Sequence, residues 1–132
     1  VLGNGSLKVL EQLLSYSPSM YWREHYRFGK EHSRTSAAMG SAFQQTLIIN
    51  VIVPFLFVYA KLKDEPFYKQ RAIDILDQMK AEDNKITRVY TKLGLKLDSA
   101  YQSQAAIQLF NAYCSPKKCL NCSLGIQLIK GK

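Results

Sequence analysis

The sequence predicts an all-α fold, a compact bundle of about six helices with a cysteine-rich C-terminal tail. Apolar residues recur in several segments with the spacing of an amphipathic helix. Capping residues or a proline precede most of these segments. No run of alternating polar and apolar residues indicates a strand. Because 132 residues is the size of one domain, residues 1–132 are predicted to form a single helical domain.

The first two predicted helices are short and are separated by a proline turn. Ser6 caps the first helix, and the turn at residues 17–19 ends it. The apolar stripe of this helix comprises Leu7, Leu10, Leu13 and Leu14. The second helix covers residues 20–26 and stops near Gly29, and residues 30–36 are predicted to form a polar loop.

The longest apolar segment, residues 47–60, is predicted to be a buried core helix. It is shorter than the roughly 20 residues of a membrane span, so no membrane partner is expected. Ser41 and Gln44 have the spacing of a capping box at its start. Pro54 lacks an N–H group, which predicts a kink or restart, and Asn50 is expected to be a buried structural polar residue beside that break.

Two later helices are predicted from their start signals. Pro66, after two acidic residues, opens one of them because proline suits the first helical turn. The inward face of this helix comprises Phe67, Ala72, Ile73, Leu76 and Met79. Asp98 is predicted to cap the other helix, over residues 99–113. Its apolar row contains Ala106, Phe110 and Tyr113.

A short helix is predicted between these two. Asp83 or Asn84 caps it. Gly94 is expected to end it in a Schellman motif, which places Leu95 against Tyr90.

The charge of the chain is strongly positive, with 18 Lys and Arg against 10 Asp and Glu and a formal net charge of +8. After residue 111 there are four lysines and no acidic residue. Such a distribution favours an anionic partner such as nucleic acid, although many basic domains are simply soluble.

Three cysteines, Cys114, Cys119 and Cys122, form a C-x4-C-x2-C pattern in this basic tail, residues 114–132. Three thiolates at this spacing suit zinc or an iron–sulfur cluster. Lys117 and Lys118 lie between them, where they would offset the negative charge of the thiolates and face phosphates. The sequence therefore predicts a metal or cluster site with adjacent nucleic-acid-binding lysines.

Several alternatives to a metal site remain open at this point. A closed zinc site needs a fourth ligand, and the only imidazoles, His25 and His32, are remote in sequence. The cysteines could instead be structural thiols, a disulfide pair or a redox motif. An odd number of cysteines disfavours a fully paired disulfide framework, and with no visible signal peptide the expected location is the cytoplasm.

Aromatic and basic residues alternate in residues 22–28. Arg23 and Arg27 are candidate nucleic-acid-binding residues, since such a segment can stack bases and hold phosphates. The more common arrangement, and the one expected here, packs the aromatic rings in the core with the arginines pointing outwards.

No catalytic group of residues emerges from the sequence, so an enzymatic activity is not assigned. Asp74 and Asp77 share a helical face, but Arg71 and Lys80 are also there, which indicates a solvated charged face.

Four segments, residues 21–29, 49–57, 103–114 and 119–125, resemble the C-terminal part of a family of uncharacterised bacterial proteins with a domain of unknown function. The resemblance covers nearly the whole chain. It implies that the chain is a C-terminal fragment of a longer protein and that the cysteine tail belongs to the family pattern. It implies no activity.

Two functions are therefore carried forward. The first is a basic helical module that associates with nucleic acid and has a cysteine-ligated metal or iron–sulfur site. The second is a scaffold domain with structural thiols that docks on the missing N-terminal region of its own chain or on another protein, and it predicts an exposed apolar patch.

Overall fold

The computed structural model describes residues 7–31 and 38–131, and this part of the chain is all-α apart from one short hairpin. The prediction of an all-α fold is confirmed. The helices are α1 (Leu7–Leu14), α2 (Met20–Glu24), α3 (Ser41–Leu47), α4 (Val53–Lys63), α5 (Pro66–Gln78), α6 (Lys85–Lys92), α7 (Ala100–Leu109) and α8 (Ser123–Ile129). The strands are β1 (His25–Arg27) and β2 (Lys30–Glu31).

The chain divides into two compact units, an N-terminal unit over Val1–Ile75 and a C-terminal unit over Leu76–Lys132. Helix α5 crosses the boundary between them. That residues 1–132 form a single domain stays a prediction. The predicted Ser6 cap, His32 and most of the predicted polar loop lie outside the described residues.

A β-hairpin in the N-terminal unit replaces the end of the second predicted helix. Helix α2 stops at Glu24, and β1 pairs antiparallel with β2, with Arg27 opposite Lys30. Gly29 has a φ of 68°, a left-handed conformation that glycine adopts without strain. The chain can therefore reverse at Gly29 and bring Lys30–Glu31 back alongside His25–Arg27. Because these two segments pair as strands, residues 25 and 26 are extended rather than helical.

Helix α1 forms as predicted, but its partly buried face is narrower than the predicted stripe of four leucines. Leu7, Leu10 and Leu14 are half-buried, whereas Leu13 is 60% exposed. The predicted capping box at the start of α3 is wrong, because Gly40 is the N-cap and makes no side-chain cap. The Gln44 side chain donates instead to the carbonyl oxygens of Met39 and, at 3.5 Å, Leu14, so it joins α3 to the end of α1.

Helices α3 and α4 are joined by a π-helical turn, Ile48–Ile52, into one continuous helix of 23 residues, Ser41–Lys63. The backbone N–H of Val53 donates to the carbonyl of Ile48, five residues earlier. Pro54 follows and cannot donate to the carbonyl of Asn50. The predicted restart at this proline does not occur, because the helix continues through it and the missing hydrogen bond is accommodated by the wider π turn.

The burial of this long helix is one-sided. Its buried residues are Ile48, Ile49, Val53, Leu56 and Ala60. Val51, Phe55, Val58 and Leu62 are between 56% and 77% exposed. The expectation of a buried core helix is therefore correct for one face only. The prediction that Asn50 is buried is wrong, because this residue lies on the exposed side, next to Val51.

By length and composition, Ser41–Lys63 is the only helix in residues 7–31 and 38–131 that could cross a membrane. Core helices of soluble proteins have the same properties, so one such helix is weak evidence of a span.

Helix α5 begins at Pro66 as predicted. Ala72, Leu76 and Met79 are buried, as expected of the inward face. Phe67 is 55% exposed, so its assignment to that face is wrong.

Helix α6 in the C-terminal unit has both predicted end signals. The Asn84 side chain accepts from the N–H groups of residues 86 and 87, and the Thr87 hydroxyl accepts from the N–H of Asn84, which makes a capping box. Gly94, with a φ of 89°, ends the helix, and the N–H of Leu95 donates to the carbonyl of Tyr90 at 3.0 Å. The predicted Schellman motif is confirmed.

Helix α7 is capped one residue later than predicted. Ser99, not Asp98, is the N-cap and accepts from the N–H of Gln102, while its hydroxyl donates to the Asp77 carboxylate at 3.0 Å. The hydroxyl of Ser103, a fully buried residue, donates to the carbonyl of residue 100 and accepts from the N–H of residue 82. These bonds satisfy the polar groups buried at the start of α7.

Candidate nucleic-acid interface and cysteine cavity

An aromatic cluster holds the hairpin of the N-terminal unit onto α2. The ring of Tyr21 stacks on that of His25, with centroids 4.0 Å apart, and the edge of Trp22 meets both Tyr21 and Phe28. The Tyr21 hydroxyl also accepts from the N–H of Gly29 at the tip of the hairpin, at 2.9 Å. These contacts fix the direction in which the hairpin leaves the helix.

The aromatic rings of this hairpin are on the surface. Phe28 is 84% exposed, Tyr26 is 62% exposed and Trp22 is 37% exposed. The expectation that these three residues pack in the core is therefore wrong. A two-stranded hairpin has only one layer and cannot enclose a core, so Trp22 and Phe28 pack against each other at the surface and Tyr26 stays 62% exposed.

Basic side chains lie beside these rings. Arg27 and Lys30 face each other across the two strands and line a shallow pocket of about 320 Å³ together with Tyr26 and Glu31. Arg23 lies in α2, four residues before Arg27. Its guanidinium donates to the backbone carbonyl of Pro18 and to the hydroxyl of residue 17. These bonds hold the Arg23 guanidinium in a defined position.

Arg23 of α2 and Arg27 and Lys30 of the hairpin form no ion pair with the residues that the structure describes, although Glu31 lines the same pocket as Arg27 and Lys30. Within residues 7–31 and 38–131, ion pairs join Arg88 to Asp83 and Lys96 to Asp98 only. We refer to Trp22, Tyr26, Phe28 and the three basic residues as the hairpin surface.

The three cysteines of the C-terminal unit are free thiols at the ends of short helical segments. Cys114 ends a π-helical turn after α7, Cys119 starts a 3₁₀ turn, and Cys122 precedes α8. Cys122 is buried, whereas Cys114 and Cys119 are exposed. Lys117 has a φ of 56° and its N–H donates to the carbonyl of Cys114, and Lys118 follows in the same exposed turn.

All three cysteines line one cavity of about 590 Å³ within the C-terminal unit. Its apolar wall includes Leu93, Leu95, Leu109, Leu124 and Leu128. We refer to this space as the thiol cavity.

One hydrogen bond connects the wall of this cavity to α6. The phenolic oxygen of Tyr90 lies 3.3 Å from the sulfur of Cys114. Burial, the bond to Cys114 and the neighbouring charge of Cys114 and Cys122 raise the pKa of Tyr90 to about 12. The phenol keeps its proton at neutral pH, and either the phenol or the thiol can donate in this hydrogen bond.

Gly125 permits close packing in the same region. A Cβ atom at this position would overlap the backbone carbonyl of Cys119. Helix α8 can thus lie directly against the 3₁₀ turn and bring Leu124 and Leu128 to the cavity wall. Sequence reasoning missed Gly125, although an isolated glycine in a helical segment is the signal of such a close approach.

A family model described as "Protein of unknown function (DUF2851)" matches residues 1–85. The chain belongs to this family. The DUF2851 match includes α2 and both strands, so the family resemblance predicted from the sequence is confirmed. It ends before the three cysteines and does not show that the cysteine tail belongs to the DUF2851 pattern. No curated protein and no solved structure matches this DUF2851 chain.

The metal prediction for this DUF2851 chain is not confirmed by the geometry. The three cysteines line one cavity, but in the part of the chain that the structure describes no group of three or more His, Cys, Asp or Glu side chains is positioned to hold a metal ion. Ligation of zinc or an iron–sulfur cluster by Cys114, Cys119 and Cys122 stays a prediction, as do phosphate contacts by Lys117 and Lys118.

Proposed function

We propose that this chain is a basic helical module that binds single-stranded nucleic acid through the hairpin surface. The observation that carries the proposal is the exposure of Tyr26 and Phe28 beside Arg27 and Lys30, on the two paired strands and the turn between them. This combination of exposed aromatic rings and cations is typical of surfaces that bind single strands.

Each component of the surface has a distinct role in this proposal. The rings of Phe28 and Tyr26 would stack on bases, which contributes about 1–3 kcal/mol per base in known single-strand-binding proteins. Arg27 and Lys30 would contact phosphates, and the net charge of +8 would draw the polyanion to the protein. Arg23, held by the turn before α2, would add a pre-positioned cation.

The setting proposed for this activity is the bacterial cytoplasm, where single-stranded RNA and transiently opened DNA are both available.

Fluorescence anisotropy with labelled, mixed-sequence single-stranded DNA and RNA tests the proposal. The expected result is binding at low salt that weakens linearly on a logarithmic salt scale, because phosphate contacts release counterions. The variant Arg27→Gln should flatten that slope. The variant Lys69→Gln, which removes an exposed cation elsewhere in the N-terminal unit, is the matched control. Undetectable binding at low salt, or binding without a salt slope, would contradict the proposal.

A second candidate, a protein-interaction domain, is favoured by one specific observation. Val51, Phe55, Val58 and Leu62 form an exposed apolar row on the helix Ser41–Lys63. We propose as the alternative function that this row docks on another protein or on an N-terminal region of the same polypeptide. Carbene footprinting of the chain alone and within its full-length protein tests it. Equal labelling of the row in both samples would contradict docking within the polypeptide.

A further inference from the structure

The thiol cavity is a separate site from the hairpin surface, and it has the dimensions of a small-molecule site. Its volume of about 590 Å³ falls within the range of about 300–1,000 Å³ that is usual for ligand pockets. A partner protein would need an interface of about 800 Å² per side, which calls for an extended surface rather than a cavity. The dimensions therefore favour a small ligand.

The chemistry of the wall indicates what kind of ligand fits. Leucines from α7, α8 and the segment after α6 supply most of the surface, so the body of the ligand should be apolar. The bonded pair of Tyr90 and Cys114 is a polar point in this wall. An apolar chain with a single polar end matches this distribution.

The charge of the C-terminal unit indicates the nature of that polar end. The unit contains nine Lys and Arg against four Asp and Glu. Lys117 and Lys118 do not line the cavity, but their backbone N–H groups donate to the carbonyls of the lining residues Cys114 and Tyr113, so their turn adjoins it. An anionic end group is therefore favoured over a neutral or cationic one.

We propose that the thiol cavity binds a fatty-acid anion, with its acyl chain along the leucines and its carboxylate towards the turn of Lys117 and Lys118. Binding of the chain would cover Cys114 and Cys119, which are exposed in the free protein. The two thiols therefore report on occupancy without any added label.

Alkylation of the thiols by N-ethylmaleimide, followed by peptide mass spectrometry, tests this proposal. The probe is dodecanoate below its critical micelle concentration. At ten times the dissociation constant, we expect alkylation of Cys114 and Cys119 to slow by about tenfold, since only the unoccupied fraction reacts. Hexanoate at the same concentration should protect less, because it buries less apolar surface.

Three variants separate binding in the cavity from non-specific effects. Leu109→Trp fills the cavity and should abolish protection, and Leu128→Gln should weaken it without unfolding the chain because Leu128 is 81% exposed. Leu120→Gln is the matched control, since Leu120 is 73% exposed and does not line the cavity. Circular dichroism checks that each variant is folded.

Two results would overturn the proposal. One is the absence of protection in the parent chain, or equal protection in all variants. The other is thiols that react only after a chelator is added, which would show that a metal occupies the cysteines. Both results are independent of nucleic-acid binding by the hairpin surface, which lies in the other unit.

Discussion

The phenolic oxygen of Tyr90 and the sulfur of Cys114 are 3.3 Å apart, although 24 residues separate them in the chain. This bond joins α6 to the end of the π-helical turn that follows α7. Tyr90 is only 8% exposed, so its hydroxyl needs a partner inside the protein. The Cys114 thiol therefore has a structural role as the hydrogen-bond partner of the Tyr90 hydroxyl.

The variant Tyr90→Phe should change how stability depends on pH. The pKa of Tyr90 rises from 10.0 to about 12 on folding, so the unfolded chain loses the phenol proton first as the pH increases. The contribution of Tyr90 is therefore complete below pH 10.0 and is lost between pH 10.0 and about 12. At neutral pH, we expect the variant to lose about 1 kcal/mol of unfolding free energy.

Urea denaturation of both proteins at a series of pH values measures this difference. The free energies of unfolding should converge above pH 10.0. A difference that is constant, or that grows with pH, would show that the Tyr90 hydroxyl is not protected in the fold.

Gly125→Ala should destabilise the C-terminal unit. Alanine normally stabilises a helix relative to glycine by about 0.5–1 kcal/mol. Here its Cβ would overlap the carbonyl of Cys119, and forcing apart packed groups costs about 1–3 kcal/mol. The steric cost exceeds the helical gain, so we expect a net loss in the urea midpoint. Ser123→Ala, an exposed change on the same helix, is the control and should shift stability by less than about 0.5 kcal/mol.

Asn84→Ala should weaken α6 because it removes the acceptor of the N–H groups of residues 86 and 87. The expected loss is about 1 kcal/mol of unfolding free energy, the usual cost of deleting an N-cap side chain. Asn84→Asp keeps an oxygen at the same position and adds a negative charge at the helix N-terminus. It should retain the stability of the parent chain in thermal or urea denaturation. Equal losses in both variants would indicate that the cap is not the cause.

Phe28→Ala should separate binding from stability in the hairpin surface. The side chain is 84% exposed and packs on the rings of Trp22 and Tyr21, so its removal should cost about 0.5–1.5 kcal/mol of unfolding free energy and leave the chain folded. Loss of one stacked base should weaken binding of single-stranded nucleic acid by about 1–3 kcal/mol. Phe43→Ala, on α3, removes a ring that is 55% exposed and should bind like the parent chain in the anisotropy assay. Similar affinities for the two variants would count against stacking by Phe28.

Features that depend on neighbouring residues in the sequence could be predicted. The cap at Asn84, the Schellman motif at Gly94 and the altered helical turn before Pro54 all involve backbone groups within about six residues, so residue type alone indicates them. The spacing of the three cysteines also predicted that they lie close together. Only a turn separates Cys114 from Cys119, and only a short 3₁₀ helix separates Cys119 from Cys122.

Features that depend on tertiary structure could not be predicted. An aromatic residue has the same helical spacing whether it is buried, like Tyr90, or 56% exposed, like Phe55. The approach of Gly125 to Cys119 requires the path of the turn between them. The choice of Ser99 over Asp98 as a cap depends on the Asp77 carboxylate, which lies 22 residues away in the chain.

The π-helical turn Ile48–Ile52 accommodates one extra residue in the long helix of the N-terminal unit. A π turn holds one residue more than an α-helical turn, so the extra residue is accommodated within Ile48–Ile52 and the buried face continues from Ile48 and Ile49 into α4. Deleting one residue inside the turn would leave Leu56 and Ala60 on the buried face. Deleting one residue at the start of α4 would rotate the rest of that helix by about 100° about its axis. Residues that are now exposed would then replace Leu56 and Ala60 on the buried face.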